Sequence, residues 1–122
     1  MARGFETKCL HLEEEEGDCS HFGALSYPIY QTATYAHPGV GQSTGFDYSR
    51  LQNPTREHLE KIVASLENGI DAFAFTTGMA AITMLMELFA PGDHLIVDED
   101  LYGGSIRLFS HVSSKNGLTF SS

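Results

Sequence analysis

The sequence predicts an α/β domain with a mostly parallel sheet covered by helices, entered through a long irregular arm. Three observations predict it. After Asn53 the segments run helix, strand, helix, strand, helix, strand, the order in which crossover helices join parallel strands. The first strand-like run, "DAFAFTT", passes directly through Gly78 into an almost wholly apolar helix, as buried layers do. Before Asn53, Gly, Pro, Ser and Thr recur and no periodic apolar face lasts more than a few residues.

Residues 1–53 therefore read as an arm. Within it "EEEE", Glu13 to Glu16, is a solvated run, and "SYPIYQTATY", Ser26 to Tyr35, is rich enough in tyrosine and β-branched residues to lie extended against another surface. An irregular segment of this length is unusual inside a compact domain, which points to a neighbouring subunit as that surface. Residues 54–122 read as the first part of the α/β domain. Asn53 caps a helix that Pro54 begins, Leu59, Ile62, Val63 and Leu66 recur at helical spacing, and Gly69 ends it. "DAFAFTT" follows as a buried strand, then the helix "MAAITMLMELF", stopped by "APGD". "HLIVDED" is the second strand. Ile106, Phe109 and Val112 mark one face of a third helix that Asn116 and Gly117 close, and "LTFSS" begins a third strand. Three short strands leave an open, uncovered sheet, so the chain is expected to be the N-terminal, truncated piece of a longer one.

Composition narrows the partners. Seven Lys and Arg stand against sixteen Asp and Glu, a formal net charge of −9 that disfavours nucleic acid and anionic membranes. The longest apolar run, around "GMAAITMLMELFAPG", contains Glu87 and falls well short of the roughly 20 residues needed to span a bilayer. Cys9 and Cys19 lack CxxC spacing and no secretory leader precedes them, so reduced thiols in a soluble cytoplasmic protein are expected. The six histidines form no HExxH and no zinc-type grouping with cysteine, and no metal site is expected.

Three stretches carry candidate chemistry, each with a plain structural alternative. In "AFAFTTGMAA" the start of a helix offers free amides and a positive dipole end at Gly78, suited to phosphate, although the stretch is neither a P-loop nor GxGxxG and also suits an ordinary tight turn. In "YSRLQNPTR", Tyr48, Arg50 and Arg56 offer a phenol and guanidinium forks to an anion, or the arginines pair with Glu57 and Glu60. In "DEDLYGGS", Tyr102 stands at the carboxyl end of a strand, where ligands of open α/β sheets bind, and either stacks on a planar cofactor or packs as a half-buried tyrosine.

In order and spacing, "YSRLQNPTR", "LENG", "TTGMAA", "APGDHLIV" and "DLYGGSIRLF" closely resemble the N-terminal third of the Cys/Met metabolism enzymes that use pyridoxal 5′-phosphate. These are the cystathionine γ-synthase, cystathionine lyase, methionine γ-lyase and O-acetylhomoserine sulfhydrylase relatives. The likeness extends back through "YPIYQTATY" to "FETKCLH". It implies a fold-type-I large domain, a homodimer or homotetramer with sites at the dimer interface, and a sulfur-containing amino acid or activated homoserine as substrate. It also implies roles. Tyr48 and Arg50 reach the cofactor phosphate of the neighbouring subunit, Thr77 and the Gly78 and Met79 amides hold the phosphate within the subunit, and Tyr102 stacks on the pyridine ring and assists proton transfer. Thr77 stands where the family commonly has serine, which keeps the hydroxyl. Gly104 stands where methionine γ-lyases typically have cysteine, which lowers the expectation of that activity. The lysines, Lys8, Lys61 and Lys115, do not match the family's Schiff-base motif, so this chain alone is expected to be inactive. A non-catalytic remnant that oligomerises with a full-length homologue, or a simple phosphate-binding α/β module, are the alternatives.

Overall fold

A short helix and a longer one, joined by irregular chain, organise the first part of the molecule; a helix-rich unit with two parallel strands makes up the second. The computed structural model describes residues 4–12 and 21–122, so the acidic run at Glu13 to Glu16 and Cys19 lie outside the described residues. Cys9 is a free, exposed thiol. The chain divides into two compact units, Met1–Ala74 and Phe75–Ser122, so that the helix following Pro54 keeps company with the arm.

In the first unit, α1 (Phe5–Lys8) packs on α2 (Pro54–Glu67). The start of α2 is built as the sequence requires. Asn53 Oδ1 accepts from Thr55 N–H at 2.9 Å, and Pro54 supplies a first residue whose missing N–H costs nothing there. Asn53 also ties down the arm, because its Nδ2 donates to Tyr30 O (3.1 Å) and to Ser49 Oγ (3.0 Å). Tyr30 N–H in turn donates to Thr55 Oγ1 (2.9 Å). Tyr27 stacks on His58 with ring centroids 3.9 Å apart. The segment from Ser26 to Tyr35 thus lies along the beginning of α2 in its own chain. It then doubles back, pairing Thr34 with Tyr48 in an antiparallel bridge that Ser49 N–H to Ala33 O closes at 2.9 Å. At the other end of α2 it is Asn68, with φ 55°, that takes the left-handed position, one residue before Gly69.

The expected buried strand "DAFAFTT" does not form. Residues 71–75 are irregular and in no ladder, and Phe73 is 74% exposed. A strand exists only through a hydrogen-bonded neighbour, and here two of its donors go to carboxylates instead: Ala72 N–H to Asp71 Oδ1 and Ala74 N–H to Glu60 Oε1, both 2.8 Å.

In the second unit, Thr77 caps α3 (Gly78–Met86), the turn Ala90–Asp93 follows, and β1 (His94–Ile96) leads through α4 (Gly103–Leu108) to β2 (Thr119–Ser121). β1 and β2 are parallel, with His94, Leu95 and Ile96 opposite Thr119, Phe120 and Ser121. The pairing is the one that helical crossovers impose. α4 widens into a π-helical turn over Phe109–Ser113, where Ser114 N–H reaches back five residues to Phe109 O at 3.0 Å. That turn brings Phe109 onto Phe120 of β2, rings stacked at 4.8 Å, while α3 packs on α4. Gly117, at φ 89°, closes the helical segment as expected. Its carbonyl accepts from Gly92 N–H at 2.8 Å. Among the described residues the buried apolar side chains are Pro54, Ala64, Met86 and Leu118.

Candidate functional site

The junction before α3 is an anion-receptive helix start. Thr77 is extended (φ −149°, ψ 155°), and its Oγ1 accepts from Ala80 N–H at 3.0 Å. Accepting uses a lone pair, so the threonine O–H remains free to donate. Ala81 N–H is taken by Thr77 O, but the N–H groups of Gly78 and Met79 have no partner among the described residues. A Cβ on Gly78 would meet nothing within 4 Å. Two unpartnered amides, a free hydroxyl proton and the positive end of a nine-residue helix therefore face open space.

Tyr102 stands just before α4 (φ −52°, ψ 130°), and its carbonyl accepts from Ser105 N–H (2.8 Å) and Ile106 N–H (3.3 Å). Its ring is not the half-buried packing tyrosine of the alternative reading: the residue is 71% exposed. The ring and the side chain of Met79 flank one point, the place where a Cβ on Gly104 would sit, 2.5 Å from Tyr102 Cε1 and 3.1 Å from Met79 Sδ. Ser105, buried in the α3–α4 contact, holds its Oγ 3.9 Å from the same sulfur. The fold thus brings the stretch around Gly78 together with Tyr102, two candidate motifs that are far apart in sequence. The part of Gly104 in that meeting was not legible from the sequence, where only the doubled glycine after an aromatic signalled it.

Tyr48 and Arg50 belong to the other unit. They sit in the turn before α2, where Leu51 and Gln52 N–H both donate to Tyr48 O at 2.9 Å. The Arg50 guanidinium lies 4.9 Å from the Tyr48 ring centre, a cation–π contact that leaves its fork unused. Arg50 makes no ion pair among the described residues. Arg56 does: it pairs with Glu60 at 3.6 Å and hydrogen-bonds Leu51 O. Glu57 is taken by Lys61 at 2.8 Å. Of the two arginines, the local carboxylate accounts for Arg56 only.

A groove of about 380 Å³ opens beyond the carboxyl ends of β1 and β2, lined by Val97, Asp98, Leu101, Ile106, Phe109 and Phe120 among others. It contains none of the candidate residues and no cation, and Asp98 and Glu99 on its wall oppose an anion. Among the described residues no three His, Cys, Asp or Glu are grouped to hold a metal ion, and no helix is long and apolar enough to cross a membrane.

The second unit therefore sets a helix start with two unpartnered amides beside an exposed aromatic ring, in an α/β unit with parallel strands. Residues 6–122 match the model of the Cys/Met metabolism PLP-dependent enzymes, and the chain belongs to that family. It is 48% identical over 120 residues to the cystathionine γ-synthase/O-acetylhomoserine (thiol)-lyase of Bacillus subtilis, covering 98% of this chain and 32% of that protein. The crystal structure of cystathionine γ-lyase from Lactobacillus plantarum complexed with L-serine superposes with a TM-score of 0.83 at 39% identity, over 98% of this chain and 31% of that one. The cystathionine γ-synthase of Xanthomonas oryzae pv. oryzae, solved with aminoacrylate and cysteine, gives 0.85 at 31% identity, over 99% and 31%. The chain therefore has the fold of the corresponding part of these PLP-dependent enzymes and spans about a third of their length. The residues present fit the family's cofactor: the free Gly78 and Met79 amides match its phosphate, and the exposed Tyr102 ring matches its planar pyridine.

Proposed function

We propose that this chain builds the phosphate end and the ring-facing tyrosine of a pyridoxal 5′-phosphate site, in a cytoplasmic enzyme acting on a sulfur amino acid or an activated homoserine. The reaction is elimination or replacement at the β or γ carbon of cystathionine, methionine or the homoserine ester. The bound cofactor supplies the electron sink that such chemistry needs. Gly78 and Met79 N–H and the Thr77 O–H hold the phosphate. Tyr102 lies on the pyridine ring and carries a proton at its phenol oxygen. Tyr48 and Arg50 serve the phosphate of a neighbouring subunit in a homodimer or homotetramer, against which the arm of residues 1–53 packs while its Ser26–Tyr35 segment stays fastened to α2 of its own chain. The lysines offer no covalent anchor: Lys61 is committed to Glu57, and neither Lys8 nor Lys115 lies in a candidate motif. By itself the chain is not catalytic.

The observation that carries this reading is the pair of unpartnered amides at Gly78 and Met79, next to an exposed Tyr102 in the same unit. Its test uses the solitude of Arg50. These 122 residues are placed in the Bacillus subtilis relative in exchange for the matching segment. Arg50→Ala then removes a charge-assisted fork worth about 1.5–3 kcal/mol, and cofactor affinity falls roughly ten- to a hundredfold. Because the contact is made in trans, a mixed dimer of Arg50→Ala subunits with subunits lacking the cofactor-binding lysine regains about one working site. Mixed dimers that form but are no more active than either parent would show that Arg50 does not act across the interface.

A further inference from the structure

Between Tyr48 and Arg50 stands a serine whose hydrogen-bonding capacity is used in full. A serine hydroxyl has one proton to give and two lone pairs to offer. Ser49 Oγ donates to Thr32 O and accepts from Asn53 Nδ2 at 3.0 Å. Its proton goes to a carbonyl, so in its 3.2 Å contact with the Tyr35 phenol it is Tyr35 that donates. The Ser49 N–H goes to Ala33 O at 2.9 Å, beside the Thr34–Tyr48 bridge. One residue thus joins the returning arm to the cap of α2. The turn itself needs no hydroxyl, since Leu51 and Gln52 N–H close it on Tyr48 O. What the hydroxyl fixes is where that turn sits against the arm.

The residues on either side are engaged differently. Arg50 is exposed and Tyr48 half-buried, and they touch each other through the cation–π contact. Among the described residues neither the Tyr48 phenol oxygen nor the Arg50 guanidinium has a hydrogen-bond partner. We propose that Ser49 is the positioning residue for this pair: its hydroxyl clamps the chain between them to the arm and to the α2 cap of its own subunit, which presents phenol and guanidinium together to the cofactor phosphate of the neighbouring subunit. This rests on the reading of Tyr48 and Arg50 as ligands of that phosphate. Ser49 itself touches no cofactor. It strengthens binding by holding the backbone of two donors in place beforehand, so that less freedom is lost when the phosphate arrives.

The test uses the chimeric enzyme in which these 122 residues replace the matching segment of the Bacillus subtilis relative. Ser49→Ala is expected to weaken pyridoxal 5′-phosphate binding to the apo dimer about three- to tenfold, the size of a lost neutral hydrogen bond, and to move the phosphorus-31 resonance of the bound cofactor toward its free position. Ser49→Thr keeps the hydroxyl and stays within about twofold of the parent. Should Ser49→Ala fail to assemble, Tyr35→Phe removes a single bond to Ser49 while its ring stays beside Phe46, and a weakening of about two- to threefold is expected. In a Tyr48→Phe/Arg50→Ala background Ser49→Ala adds nothing further, the mark of a residue acting through its neighbours. Mixed dimers with one subunit lacking the cofactor-binding lysine show whose site is affected, read as the cofactor concentration that half-restores activity. That concentration rises when Ser49→Ala is on the lysine-lacking subunit, which lends Tyr48 and Arg50 to the working site, and stays the same when Ser49→Ala is on the subunit with the lysine. The opposite pattern, parent-like binding by Ser49→Ala, or equal weakening with and without the Tyr48 and Arg50 donors overturns the positioning role. Arg50→Ala in the same dimers checks the underlying reading: if its defect does not cross the interface, the assignment of Arg50 to the partner's phosphate fails, whatever Ser49 does.

Discussion

Asn53 performs three tasks with one side chain. Its oxygen caps α2 while its nitrogen holds the Tyr30 carbonyl and the Ser49 hydroxyl, so the arm and the helix share a fastening. Losing a cap of this kind costs about 1–2 kcal/mol, and Asn53→Ala also leaves the Tyr30 carbonyl short of a donor. Denaturant melts followed at the helix signal are expected to show Asn53→Ala destabilised by at least that much. Asn53→Ser, which keeps the cap and loses the donors, is expected to fall between the two; equal stabilities for alanine and serine would mean that the arm is not fastened here. The cap was legible because it depends on adjacent residues alone. The isolation of Arg50 was not, because it follows from Glu60 being engaged by Arg56 and by Ala74 N–H, a contact across fourteen residues.

The same contrast governs whole elements. α2 and α3 were legible from caps, periodicity and stop signals, all local, and the parallel strands from their alternation with helices. "DAFAFTT" has the side chains of a strand, yet strand formation depends on a neighbour, and its amides at Ala72 and Ala74 go to Asp71 and Glu60. The π-helical turn that brings Phe109 over Phe120 had no local signal, since it is set by packing on β2. Gly117 shows a local signal made firm by a distant contact. A left-handed φ of 89° already favours glycine there, and a Cβ would fall 2.9 Å from Pro91 Cβ, in the turn that leads into β1. Gly117→Ala is therefore expected to cost well over 1 kcal/mol, through both the strained φ and the clash. Thermal melting of the second unit's helices checks this, and a change within about 0.5 kcal/mol would show that the Pro91 turn yields freely.

At the scale of the whole molecule, apolar surface is left uncovered in both units: Val40 and Ile70 are fully exposed, and Leu88 and Ile96 of β1 are largely so. The chain spans about a third of the length of the relatives it matches, and uncovered apolar surface of this kind is what further chain or another molecule packs against. The unpaired stretch at residues 71–75 has a consequence of its own for digestion. It lies at the division between the two units, its backbone is in no ladder, and it presents Phe73 and Phe75, side chains that chymotrypsin prefers. Exposed, unpaired backbone is where proteases enter a folded chain. Brief chymotrypsin treatment of the 122-residue chain, read by mass spectrometry, is expected to cut first after Phe73 or Phe75 and release the two units as separate peptides. Early cutting after the fully exposed Phe22 with Phe73 intact would contradict this.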